Sequence, residues 1–258
     1  MSPWRYGSLT VGPREWWVVL AFFAVLGGTL AAYWPALYGP FLFDDYANLT
    51  RLSRTGGVDS LRDLAIFVLS GSSALGRPLS FLTFLLNDID WPSAPWSFKY
   101  TNLMLHALNA ILVFTLARSI ARFSSLGSRE CDYAALLAMG LWALHPMQLS
   151  TIMLIIQRMV ELMTTFVLLG LVVYIAGRRR LADGRSSGWV LISAGIGVFG
   201  ILATLSKENG ILLALYALVL DATVLRHLQT PNARMFRAWK GVFLVAPLVC
   251  LALFLALQ

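Results

Sequence analysis

Charge is scarce in this 258-residue chain. Asp, Glu, Lys and Arg together make up 13% of it, where a soluble domain carries about 25%. Histidine and cysteine are scarcer still, at three and two residues. No Cys/His group has the spacing of a metal site. No phosphate-binding glycine loop and no dinucleotide fingerprint occurs, so nothing points to nucleotide-dependent chemistry. Cys131 borders one apolar run and Cys250 lies inside another, which excludes a disulfide framework.

What the chain has instead is apolar length. Hydrophobic residues make up 58% and the mean hydropathy is +0.72. The apolar runs are continuous rather than alternating, so the fold expected is an all-α polytopic membrane helix bundle and not a barrel. The net charge is +7, but the basic residues sit in short clusters between apolar runs. That is the pattern of an orientation signal, and the partner it implies is the lipid bilayer rather than nucleic acid.

About seven spans are predicted. The first runs from Trp16 to about Leu37 and ends at Pro35 and Gly39-Pro40. It is too long for the ~7–15-residue core of a signal peptide, despite small residues at Leu30-Ala31-Ala32. Residues 38–99 form a long first outer loop carrying two short surface helices, Ser60 to Leu69 and Arg77 to Asn87, with Trp91 and Trp96 suited to the interface. Further spans are expected at Tyr100–Ala121, Tyr133–Leu144, Thr151–Ala176, Trp189–Leu205 and Ile211–Leu225. A last one starts near Val242 and runs to the final residue, which reads as a chain truncated at its C-terminus. Residues 1–258 are thus read as one transmembrane domain.

Lys and Arg orient it. With the N-terminus cytoplasmic, Arg5, Arg14, Arg118, Arg122, Arg129, Arg178, Arg179, Arg180, Arg185, Arg226, Arg234, Arg237 and Lys240 fall inside. The outer, periplasmic or lumenal, side then collects Asp44-Asp45, Arg77, His145-Pro146, Gln157-Arg158 and Lys207-Glu208. Packing alone does not require polar residues so far apart in sequence to gather at one end.

Each of these residues has two readings. Asp44 and Asp45 are either loop and cap residues or a general base with a supporting acid, either one a potential ligand of a divalent cation. Arg77, before a short helix opened by Pro78, is either an interfacial Arg or a phosphate clamp. Asn102, His106 and Asn109 share one helical stripe and are read as bonding across to a neighbouring helix. Gln157, Arg158 and Glu161 sit within a span, Arg158 and Glu161 at pairing distance, as glue or as site. Lys207 either holds a phosphate or pairs with Glu208.

In order along the chain stand Phe43-Asp44-Asp45, Gly76-Arg77-Pro78-Leu79, Asn102-Leu103-Met104-Leu105-His106-Ala107-Leu108-Asn109, His145-Pro146-Met147-Gln148, Gln157-Arg158 and Ser206-Lys207-Glu208-Asn209-Gly210. This series resembles the membrane part of the transmembrane and tetratricopeptide-repeat (TMTC-type) proteins and their bacterial relatives, which are similar to GT-C glycosyltransferases. The likeness covers about residues 40 to 215. It implies an acidic motif in the first outer loop and a sugar donor carried on a polyprenyl phosphate. Asp44 or Asp45 would be the catalytic base or metal ligand. Arg77, Arg158 and Lys207 would meet the donor phosphate, and His145, Gln157, Glu161 and Glu208 would lie around the substrate. Ser150 stands where many relatives carry an acidic residue.

The function expected is transfer of a sugar from a polyprenyl-phosphate-linked donor to a protein or glycan acceptor, on the periplasmic face of a bacterial inner membrane. The alternative is a non-catalytic transporter or assembly scaffold for lipid-linked sugars. A transporter should show repeated halves, and no internal repeat is visible.

Overall fold

The longest apolar runs form the longest helices. The computed structural model describes residues 16–55, 57–69 and 76–256, so Arg5, Arg14 and Gly56 lie outside it. Thirteen α-helices follow one another with no strand among the described residues. They are α1 (Trp16–Tyr33), α2 (Asp44–Leu49), α3 (Leu61–Leu69), α4 (Pro78–Phe84), α5 (Pro95–Ala121), α6 (Ser128–Ala143), α7 (Leu149–Met153), α8 (Arg158–Ala182), α9 (Ser187–Ser193), α10 (Phe199–Ser206), α11 (Leu213–Ala222), α12 (Ala233–Lys240) and α13 (Ala246–Ala256).

Among the described residues five helical stretches are long and apolar enough to cross a membrane: Trp16–Tyr38, Pro95–Ala121, Ile155–Ala182, Ser187–Ser206 and Ala233–Phe254. A sixth arises if Ser128–Ala143 and Pro146–Met153, bent by 50°, are counted together. The bend has a local cause. Pro146 has no N–H to give the ladder and holds His145 extended at ψ 131°. The described residues thus give five or six spans against the expected count of about seven. The run expected to span from Ile211 to Leu225 begins as a 3-10 turn, Glu208–Leu212, and continues only as the ten-residue α11. That helix rises about 15 Å, half of a hydrocarbon core.

The centre of the bundle is α8, packed against α5, α9 and α10. Its contact with the α9–α10 span is made by glycines. A methyl group on Gly177 would sit 2.8 Å from the Ile192 nitrogen, and one on Gly195 would sit 2.9 Å from the Gly170 carbonyl. Two backbones approach this closely only where no side chain stands between them.

Both short helices expected in the first loop are present, as α3 and α4. The loop is not a strap on the surface. It carries a core of its own in which Phe41, Leu49, Leu52, Phe67, Phe81 and Phe84 bury against Phe98, Ile155, Ile156 and Met159. The first loop is thereby fixed onto the start of α8 and of α5.

Candidate functional site

The site is built on the first turn of α8. Ahead of it the chain breaks. Leu154 is extended (ψ 113°), and a single 3-10 turn, Ile155–Gln157, leads into α8. Breaking a helix frees backbone groups, and two expected site residues take them up. The Asp45 carboxylate accepts the Ile156 N–H at 2.9 Å through Oδ1, and the Leu42 N–H at 3.0 Å through Oδ2. The Asn102 amide lies 3.3–3.4 Å from the carbonyls of Thr151, Leu154 and Ile155.

The adjacent acids therefore part. Asp45 is fully buried. Asp44, the first residue of α2, is exposed, and its carboxylate takes no hydrogen bond or ion pair among the described residues. Before it, Phe43 holds a positive φ of 43° and is 83% exposed. A non-glycine residue in that region carries about 1–3 kcal/mol of strain. Here the turn at Phe43 lets Asp45 fold inward while Asp44 stays outside. Lys99 lies near the start of α5. It is buried, and its ammonium donates to the carbonyls of Gly39 (3.0 Å) and Pro40 (2.9 Å), which fixes the chain entering the Asp44-Asp45 turn. A lysine five residues into an apolar helix was the sequence signal for it.

The cationic residues arrive beside the same turn. Arg77, left-handed at φ 54°, donates through Nε to both carboxylate oxygens of Glu208 at 3.1 Å. Its Nη1 lies 2.8 Å from the Met159 sulfur. Lys207 breaks α10 with an extended backbone (φ −158°). The Ser80 hydroxyl donates to the Ser206 carbonyl at 2.9 Å, tying α4 to this turn. Gly210 closes it: a methyl group there would lie 2.2 Å from the Ala203 carbonyl carbon, so only glycine lets the turn lie against α10. Lys207 is half-buried, and its ammonium takes no hydrogen bond or ion pair among the described residues. Burial, and next the charge of Arg77, lower its pKa, while Glu208 opposes them.

Asp45 holds Ile156 and Arg77 touches Met159, three residues on. One turn of helix thus carries both the acidic and the cationic set, and Ile156, Met159, Phe41 and Phe81 share a single core beneath them.

Other expected residues are placed differently. Arg158, read as a donor-phosphate ligand, is fully buried. Its guanidinium donates to Asn102 Oδ1 (2.9 Å), the Thr83 carbonyl (2.8 Å) and the Phe98 carbonyl (2.9 Å) and lies over the Phe84 ring. It ties α4, α5 and α8 together and has no face toward a ligand. Nor do Arg158 and Glu161 pair with each other. Glu161, also buried, meets His106 Nδ1 at 3.2 Å and accepts from the Asn109 amide at 2.6 Å. The stripe of Asn102, His106 and Asn109 does bond across to a neighbouring helix, and that helix is α8. Burial likewise removes Glu161 from the substrate-binding set.

His145 is exposed. Its Nδ1 accepts the Met147 N–H, and its carbonyl accepts the Tyr33 hydroxyl at 3.0 Å. No bond joins its ring to Arg77 or Lys207. Gln157 is partly buried next to Arg158.

A divalent cation finds little here. Among the described residues no three His, Cys, Asp or Glu side chains converge, and both oxygens of Asp45 are taken by backbone N–H groups. The donor set does not fit a resident ion.

No protein-family model matches the chain, and no solved structure does. Curated relatives do match. A protein O-mannosyl-transferase of Caenorhabditis elegans is 24% identical over 80% of this chain and 29% of its own length. Human protein O-mannosyl-transferase TMTC4 is 30% identical over 67% of this chain and 25% of its own. For mouse protein O-mannosyl-transferase TMTC2 the identity is 30% over 62% of this chain and 18% of that protein. The chain spans less than a third of these relatives. Over that shared membrane part it is a relative of the TMTC-type protein O-mannosyl-transferases, which are members of the GT-C superfamily.

Proposed function

We propose that this chain forms the catalytic membrane part of a GT-C-type glycosyltransferase, which moves a sugar from a polyprenyl-phosphate donor to a protein acceptor on the periplasmic or lumenal face. The names of its relatives, protein O-mannosyl-transferases, support mannose as the sugar and a protein oxygen as the acceptor atom. The observation that carries the reading is that Asp45 and Arg77 both anchor on the start of α8, each next to a polar group left open. These are the exposed Asp44 carboxylate, beside Asp45, and the Lys207 ammonium, beside the Arg77–Glu208 pair, neither with a hydrogen bond or ion pair among the described residues.

The chemistry follows from these two groups. Asp44 takes the proton of an acceptor hydroxyl as its oxygen bonds to the anomeric carbon. The bond from that carbon to the phosphate oxygen breaks, and the electron pair leaves with the polyprenyl phosphate. Lys207 stabilises the added negative charge, while Arg77 completes the positive field at the turn. A lipid tail has a place beside it. An apolar cavity of about 440 Å³ lined by Ile196, Gly200, Thr204, Leu205, Ile211 and Val242 begins within three residues of Lys207.

The test is sugar transfer by the full-length protein from a defined polyprenyl-phosphate mannose to an acceptor peptide. Asp44→Asn should abolish transfer with an unchanged melting temperature. Full activity in that variant would end the mechanism.

A further inference from the structure

The opposite end of the bundle holds a second polar site that the glycosyl-transfer reading does not use. α8 ends on Arg178, Arg179 and Arg180. α12 lies across that end with Phe236 and Trp239 buried and Arg234 and Arg237 exposed. Between them opens a cavity of about 330 Å³, whose polar lining is Arg178, Asp221, Arg226, Thr230, Arg237 and Lys240.

Its floor is built. The side chain of Arg178 is 3% exposed. Its guanidinium donates to Asp221 Oδ1 at 2.8 Å, the Thr230 hydroxyl at 2.7 Å and the Leu228 carbonyl at 3.3 Å. It also stacks 4.1 Å over Phe236. The Lys240 ammonium takes the other Asp221 oxygen at 3.0 Å. One carboxylate is thus shared by two cations. Arg226 and Arg237 add two more charges at the exposed rim, and neither has a carboxylate partner among the described residues. Four cations against one acid leave the cavity strongly positive.

We infer that this cavity binds the phosphodiester headgroup of an anionic phospholipid. A phosphate monoanion with its glycerol suits the volume, and planar guanidinium forks suit its oxygens. The source is a lipid because of what borders the rim. The helical turn after Lys240 carries the stretch Ala233–Phe254 onward, and there Val242 is 66% and Val245 43% exposed, the apolar surface along which acyl chains would run. Basic pockets between spans at such an end hold acidic headgroups.

The experiment is native mass spectrometry of the full chain released from detergent with phosphatidylglycerol, phosphatidylcholine or inorganic phosphate at equal concentration. Retention of phosphatidylglycerol at least roughly tenfold above phosphatidylcholine is expected. The double variant Arg226→Gln/Arg237→Gln should lose that preference. Arg180→Gln/Arg234→Gln, which removes equal charge from positions outside the cavity, should keep it. Equal retention of the two lipids by the wild-type protein would overturn the inference without reference to any variant. So would equal losses in the two double variants, which would mean surface charge alone. Inorganic phosphate retained as well as phosphatidylglycerol would overturn the lipid source.

Discussion

Asp45 reaches the backbone of Ile156, 111 residues further along the chain, at 2.9 Å. This one bond fastens the first loop to the break that opens α8. It also separates the roles of two neighbouring acids, because Asp45 is fully buried against these backbone N–H groups while Asp44 faces outward. Asp45→Ala leaves two N–H groups without an acceptor, one of them buried, and each buried orphan costs about 1–3 kcal/mol. A clear fall in melting temperature is expected. Asp44→Ala, at an exposed carboxylate with no partner among the described residues, should stay within about 0.5 kcal/mol of the wild type. Thermal unfolding in detergent checks both, and an equal fall in the two would refute the separation.

Arg158 supports the site from below. Arg158→Gln loses most of its three hydrogen bonds and its ring contacts, leaving buried carbonyls at Thr83 and Phe98 and the Asn102 oxygen without donors. The expected loss is several kcal/mol, seen as poor yield of monodisperse protein. Arg158→Lys should recover only part, since an ammonium cannot reproduce the planar fork. A variant that keeps its stability and loses only donor affinity would return Arg158 to the phosphate.

These two residues show how far the sequence could be read. The helical class, the two short helices of the first loop, and the stripe of Asn102, His106 and Asn109 follow from residue type and period. Depth does not. Arg158 and Lys207 are both cations expected at outer ends, yet one is wholly inside and the other half outside, a difference made by α4 and α5 closing over Arg158. Hydropathy also counts residues without following the backbone. The apolar run after Gly210 looks like a span, but its first two residues close the 3-10 turn Glu208–Leu212 and only ten residues of α-helix follow. Asp44 and Asp45 could not be told apart in the sequence, since the deciding event is the left-handed turn at Phe43.

Lys207 gives a pH prediction with two opposite signs. Its pKa lies below the ordinary 10.5, burial being the larger cause and Arg77 the next. As the phosphate anchor it would bind donor while protonated, so donor affinity should fall as pH rises through the depressed value. Lys207→Arg should hold affinity to higher pH. Stability runs the other way. Between the folded and unfolded pKa values the unfolded chain binds more protons, so this group's contribution to stability rises with pH across that window. Glu208→Gln removes the one influence that raises the pKa and should move both transitions to lower pH. Donor titrations and melting curves over alkaline pH check the pair of signs.

The buried cluster on α5 and α8 holds one proton in a defined place. His106 Nε2 lies 2.9 Å from the Ala143 carbonyl, which can only accept, so Nε2 carries hydrogen. Nδ1 faces Glu161 Oε1 at 3.2 Å, and the other Glu161 oxygen accepts from Asn109. A single proton therefore lies between His106 Nδ1 and Glu161. Glu161→Gln can keep both contacts, its carbonyl accepting from Asn109 and its amide donating to a neutral His106, so it should cost about 1 kcal/mol or less. Glu161→Ala leaves His106 and Asn109 facing a void and should cost several times more. Adding His106→Ala to Glu161→Ala should then cost little further, with a coupling of about 0.5–3 kcal/mol in a double-mutant cycle. Additive losses in that cycle would mean that the two side chains do not share the proton.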